Sequence, residues 1–122
     1  LTIRDVDSHQ DLPHMIRTYL NEHYMQELQQ TDVAAVFHMS GPYFSQYFKQ
    51  SFGVNYVQYL NSLRIEKAKL LLVTTQNSTE SIGALVGIPN VNYFFRLFKK
   101  TEGCTIREYR KRHTESKKVH KS

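Results

Sequence analysis

Two sets of side chains in this sequence have the types and spacing to hydrogen-bond flat aromatic edges and to meet anions. Pro42, Ser45, Gln46 and Lys49 fall at i, i+3, i+4 and i+7, which places them on one face of a helix. Asn92, Phe95, Arg96 and Lys99 repeat that spacing further on. Gln and Asn amides pair bidentately with adenine, the Arg fork fits guanine O6 and N7, and an apolar ring can touch a thymine methyl. Lys49, Lys99 and Lys100 suit phosphates, which hold a helix in place without reading sequence. Asn90, just ahead of the second set, completes a candidate DNA-contacting group of ten. Plainer readings stand beside these. Ser45 and Gln46 also suit an ordinary solvated face, and Phe95 either meets thymine or packs against the final helix.

Both sets sit inside a repeat. "YFSQYFKQSFG" (43–53) returns as "YFFRLFKKTEG" (93–103), and an offset of 50 matches the chain to itself without gaps. Ala34, Val36, Tyr43, Phe44, Phe48, Lys49, Gly53 and Tyr59 meet identical residues, eight of 26 positions, where ordinary composition gives roughly two. Two copies are too few for a solenoid, which stacks three or more. The repeated letters are mainly the greasy ones, Phe44, Phe48, Phe94 and Phe98, which read as core. The outward letters differ between copies. A fixed core with two unlike solvent faces is what reading two different base sequences requires.

Each copy reads as helix, turn, helix. In the first, Thr31 is placed to cap a helix carrying Val33, Val36 and Phe37 on one face, and Ser40 to cap the next, with Gly41 and Pro42 in its first turn. Gly53 ends it. In the second, Asn77 and Glu80 have capping-box spacing, Gly87 and Pro89 break the helix, Asn90 caps the next and Gly103 stops it. A long connector helix lies between, with Val57, Leu60, Leu63, Lys67 and Leu71 on or beside one stripe. Thr105 and Glu108 make a capping box for a last helix, and Asn55 and Gln58 mirror them. An earlier helix presents Ile16, Tyr19, Leu20, His23 and Tyr24. No alternating β-branched runs occur. The expected fold is all-α, about seven helices, with two helix-turn-helix units. The boundaries expected are a DNA-binding domain over 1–112 (first unit 31–53, connector 55–73, second unit 78–103, last helix 105–112) and a basic, disordered tail over 113–122.

Bulk properties narrow the function. At 122 residues and 40% hydrophobic, the chain can bury a core but has no run near the ~20 apolar residues that span a bilayer. It opens at Leu1, as a fragment of something longer does. One cysteine, Cys104, excludes an internal disulfide and fits a reducing cytoplasm. The net charge of +5 is uneven: two Arg face six acids in residues 1–38, while fourteen Lys or Arg face five acids in 39–122, giving −4 and +9. Such a distribution points first to nucleic acid and second to a membrane surface. The six histidines show no metal-ligand pattern, and neither a phosphate loop nor a nucleophile with a placed base occurs. No cofactor, metal or enzymatic activity is expected. A helical protein-interaction module is the competing class, which explains the helices and aromatics but not the +9 region.

"NVNYFFRLFKKTEGCTIREYRK" and "MSGPYFSQYFKQSFGVNYVQYLNSLRIEKAKLLL" together resemble the DNA-binding domain of AraC/XylS-type bacterial transcription regulators, over roughly residues 10–112. The wording of "VAAVFHMSGPYFSQYFKQSFG" and "LRIEKAKLLL" is most like the response-regulator branch of two-component systems. Three positions depart from the pattern: Ile106 where Pro is usual, Phe95 where a small polar residue is usual, and Gly87-Ile88 where Gly-Phe is usual. The resemblance implies recognition helices at 41–51 and 91–101, with base contacts at Pro42, Ser45, Gln46, Asn92, Phe95 and Arg96. It also implies double-stranded DNA and RNA polymerase as partners, and a companion sensory or receiver domain. Two units on one monomer would engage successive major-groove segments about one turn, ~34 Å, apart.

Overall fold

The computed structural model describes the backbone of residues 2–121 and the side chains of residues 11–114. These form α1 (Thr2–His23), α2 (Gln30–Val36), α3 (Gly41–Phe52), α4 (Tyr56–Thr74), α5 (Thr79–Leu85), α6 (Val91–Glu102) and α7 (Ile106–Lys121). No strand occurs among the described residues. The helices fall into two compact units, residues 1–60 and 61–122, with α4 running from one into the other.

In the first unit Ile16 and Leu20 of α1, Val33 and Ala34 of α2, and Phe44 and Phe48 of α3 are buried, with Tyr56 and Leu60 from the start of α4. Tyr56 donates its hydroxyl to the Leu28 carbonyl at 2.8 Å, so the one polar atom of that buried ring is satisfied. In the second unit Ile65, Ala68 and Leu72 of α4 are buried, as are Ile82, Val86 and Ile88, Phe94 and Phe98 of α6, and Ile106 of α7. Two polar clamps tie these helices together. Lys69 reaches Glu66 on its own helix at 2.9 Å and Glu102, at the end of α6, at 3.1 Å. Hydrogen bonds to Glu66 and then Glu102 push the Lys69 ammonium above its ordinary pKa, against the opposing effect of burial. Arg110 of α7 donates to the carbonyls of Leu72 (3.1 Å) and Thr75 (2.8 Å), which the end of α4 leaves without intrahelical partners.

The repeat is real but its register shifts. α3 and α6 begin at 41 and 91, an offset of 50, whereas α2 and α5 begin at 30 and 79, an offset of 49. Hydrogen bonds confirm the shorter offset: Met39 N donates to Ala34 O in one turn and Ile88 N to Gly83 O in the other. The structural partner of Ala34 is therefore Gly83, and that of Val36 is Leu85. The Ala34–Ala84 and Val36–Val86 identities are coincidences of sequence. Pro89 is the extra residue, inserted between Ile88 and the cap Asn90. Each turn needs one left-handed residue: Gly87 (φ 95°) in the second unit and His38 (φ 60°) in the first.

Several expectations need correction. α2 starts at Gln30, and the residue ahead of it is Gln29, whose N–H donates to Asp32 Oδ2 at 3.2 Å, so Thr31 lies inside the helix. Ser78, not Asn77, caps α5 by accepting from Ser81 N at 3.1 Å. Val36 is 45% exposed and Val57 59% exposed, while Ile65 takes the core position on the connector. α1 ends at His23, so Tyr24, expected on the face of this helix, falls just past its end, and Pro13 lies within it. The segment 113–122 was expected to be disordered, yet α7 carries helical backbone to Lys121. No Gly or Pro follows Gly103, and Arg, Lys and Glu sustain a helix without an apolar face. The side chains beyond 114 lie outside the described residues.

Candidate nucleic-acid interface

α3 and α6 are built by the same rules from different letters. Ser40 Oγ accepts from Tyr43 N at 3.2 Å, and Asn90 Oδ1 accepts from Tyr93 N at 2.9 Å. At the other ends Gly53 (φ 79°) and Gly103 (φ 80°) return their N–H groups to Lys49 O and Lys99 O. Position by position, the twelve residues of α3 and the twelve of α6 are buried, half-buried and exposed in the same order. Phe44 and Phe48 are fully buried in one, Phe94 and Phe98 in the other. A ring from the next helix props each pair: Tyr59 stands edge-on to Phe48, and Tyr109 edge-on to Phe98. Asn61 of α4 adds a hydrogen bond to the Tyr93 hydroxyl at 3.2 Å.

All ten candidate residues are exposed: Pro42, Ser45, Gln46, Lys49, Asn90, Asn92, Phe95, Arg96, Lys99 and Lys100. On α3, helical spacing gathers Pro42, Ser45, Gln46 and Lys49 opposite the two buried rings. On α6 it gathers Asn92, Phe95, Arg96 and Lys99 likewise. Asn90 stands apart in role, because its carbonyl oxygen is committed to capping α6 and only its NH₂ can face a partner.

Phe95 lies between solvent and the last helix. It is 41% exposed, and its ring lines a cleft of about 350 Å³ together with Ile106 and Arg107 of α7, so it leans toward the last helix while keeping an open edge. Arg96, Lys99 and Thr79 line the same cleft. Arg107 was not among the sequence candidates, although "TIREYRK" carries it in the basic half of the chain. Tyr43 was not a candidate either. It is 58% exposed on α3 and stacks with Tyr47. An exposed aromatic hidden among repeated letters reads as core unless its neighbours at i+1 and i+5 are seen to be the buried ones.

Among the described residues no group of three or more His, Cys, Asp or Glu could hold a metal ion, and no helix is long and apolar enough to cross a membrane.

The model of the family described as "Helix-turn-helix domain" matches residues 33–112. YisR of Bacillus subtilis, named an HTH-type transcriptional regulator, is 38% identical over 93 residues, covering 76% of this chain and 32% of its own length. YijO of Escherichia coli, with a similar name, is 32% identical over 111 residues, covering 91% of this chain and 39% of its own. The chain thus spans well under half the length of these relatives. Among solved structures, the C-terminal domain of the two-component response regulator yesN from Fusobacterium nucleatum superposes with a TM-score of 0.79 at 35% identity, over 82% of this chain and 98% of that one. The DNA-binding domain of AdpA, solved with a target DNA, shares the fold at a TM-score of 0.81 and 21% identity, over 84% of this chain and 93% of that one. The duplicated caps, the duplicated aromatic props and these matches agree, and the chain belongs to the AraC/XylS-type family of helix-turn-helix transcription regulators.

Proposed function

We propose that this chain is the DNA-binding output region of a bacterial transcription regulator, with α3 and α6 each reading one segment of double-stranded DNA. The supporting observation is the identical burial sequence of the two helices: both present a polar, cationic face at matching positions while carrying unlike side chains there. Gln46 and Ser45 on α3 read one box. Arg96, Asn92 and the open edge of Phe95 on α6 read the other. Lys49, Lys99 and Lys100 engage phosphates. Because the two faces differ, the preferred site is two unlike boxes on one duplex rather than a palindrome.

The relatives' greater length supports a companion domain that receives the signal, and the yesN likeness favours a receiver of the two-component kind. RNA polymerase is the partner through which such an output acts, in the cytoplasm. Selection from a random duplex pool tests the DNA reading. Two dissimilar conserved boxes are expected. Gln46→Ala should flatten the preference in one box only, and Arg96→Ala in the other only. Selected pools without enrichment, or both substitutions acting on the same box, would overturn it.

A further inference from the structure

The cleft beside α6 has a chemistry that reading DNA does not use up. Its volume, about 350 Å³, falls at the lower end of the ~300–1,000 Å³ typical of small-molecule sites. Its floor is apolar: Ile106 is 3% exposed, and the ring of Phe95 forms a wall. Arg96, Lys99 and Arg107 line the cleft too, and because such side chains lay their aliphatic stems on apolar surface and keep their charged ends in water, the cations belong at its rim.

The acids of this region are already engaged. Glu102 is held by Lys69 at 3.1 Å. Glu108 accepts from Thr105 N at 2.9 Å, with Arg112 and Lys99 adding weaker attraction. Among the described residues no carboxylate lies within salt-bridge distance of Arg96 or Arg107. A hydrocarbon alone would forgo the rim, and a bare anion would forgo the floor. An Arg fork favours a planar carboxylate.

We infer that this cleft binds a small amphipathic organic anion, a flat ring bearing one carboxylate, and that the bound acid competes with DNA for α6. The site belongs to the second unit alone. The counterparts of Phe95, Arg96 and Arg107 at the α3 offset are Ser45, Gln46 and Val57, which supply neither ring nor guanidinium. The competition half rests on the DNA reading above; the binding half does not.

The test titrates the isotope-labelled 122-residue chain, free of DNA, with 2-naphthoate while backbone amides are followed by NMR. Saturable shifts are expected at residues 95–99 and 105–107, with Kd of roughly 1 mM for a ligand of this size. 2-Naphthamide and acetate should each bind at least fivefold more weakly. Arg107→Ala and Phe95→Ser should each lower naphthoate affinity at least fivefold, with the melting temperature recorded alongside. Shifts that never saturate, shifts equally large along α3, or naphthamide binding as tightly as the acid would overturn the site. Saturating acid should then reduce DNA affinity at least fivefold. Unchanged DNA affinity with the cleft occupied overturns the competition, whereas an acid-free chain that binds no DNA overturns the DNA reading and leaves the cleft standing.

Discussion

The ring of Tyr109 stands edge-on to that of Phe98, centroids 5.5 Å apart at 72°, and Tyr59 repeats the pose against Phe48 at 5.4 Å and 79°. Each Phe is fully buried, and each Tyr comes from the first turn of the helix that follows a left-handed glycine. The pairs hold the inner faces of α3 and α6 and so fix which side of each helix faces outward. Phe98→Ala should cost about 3–5 kcal/mol of stability, the range for removing a buried aromatic. Urea unfolding of the variant beside the parent measures this, and a loss under about 1 kcal/mol would show the ring is not core.

Gly83 occupies the place that Ala34 fills in the first unit, and the two are not interchangeable. A Cβ on Gly83 would meet Phe94 Cδ2 at 2.8 Å and the Ile88 carbonyl at 3.0 Å. Phe94 is fully buried and cannot swing away. Gly83→Ala should therefore destabilise by about 1–2 kcal/mol, overpacking outweighing the roughly 1 kcal/mol that Ala offers a helix. Thermal unfolding decides the sign.

His38 is held at φ 60°, where its counterpart is Gly87 at φ 95°. An L side chain is strained in this region by about 1–2 kcal/mol, partly offset by the greater entropy a glycine loses on folding. His38→Gly should raise stability by about 0.5–1 kcal/mol in a denaturant titration, while Gly87→His should lower it.

That pair also marks where the sequence stops being legible. The caps Ser40, Asn90, Gly53 and Gly103 and the buried rings of α3 and α6 were readable, because a cap needs a particular side chain and a core needs volume at fixed spacing. The exposure of the eight candidates at i, i+3, i+4 and i+7 followed from the same spacing. The turn did not. Matching letters at Ala34 and Ala84 hid a one-residue insertion, since a small residue can sit on either face of a helix without penalty, and the register shows only in the helix starts and in the paired Met39–Ala34 and Ile88–Gly83 hydrogen bonds. Arg107 was missed for another reason. It becomes part of the cleft only when the start of α7 lies beside α6, and spacing within one helix carries no word of that.

The two capping boxes form a natural comparison in acid. Thr105 N donates to Glu108 at 2.9 Å in one, and Asn55 N donates to the neutral Gln58 at 3.3 Å in the other. The Thr105 backbone N–H, then its side chain, holds the Glu108 carboxyl below its ordinary pKa of 4.5. A depressed carboxylate stabilises the fold above its unfolded pKa, and that stability is lost as pH falls through the lower folded value. The start of α7 should fray below about pH 4.5 while the start of α4 does not. Glu108→Gln should remove that acid sensitivity. Amide hydrogen exchange at residues 106–109 and 56–59, followed from pH 6 to 3, checks it; equal protection loss at both sites would contradict the assignment.

Lys99 and Arg96 lie one turn-step apart on the exposed face of α6, yet DNA should distinguish them. A phosphate contact releases about 0.9 counterion, so six such contacts lower affinity roughly 10³-fold between 50 and 200 mM salt. Lys99→Ala should weaken binding evenly across sequences and reduce the slope of log K against log salt by about 0.9. Arg96→Ala should instead lose about 1–3 kcal/mol on the preferred site, nearly nothing on unrelated duplex, and relax preference at one base pair. Fluorescence anisotropy at four salt concentrations, with preferred and scrambled duplexes, measures both quantities. If Arg96→Ala changes the slope and Lys99→Ala changes the preference, the assignments on this helix are reversed, and if neither substitution alters either quantity, α6 does not touch DNA.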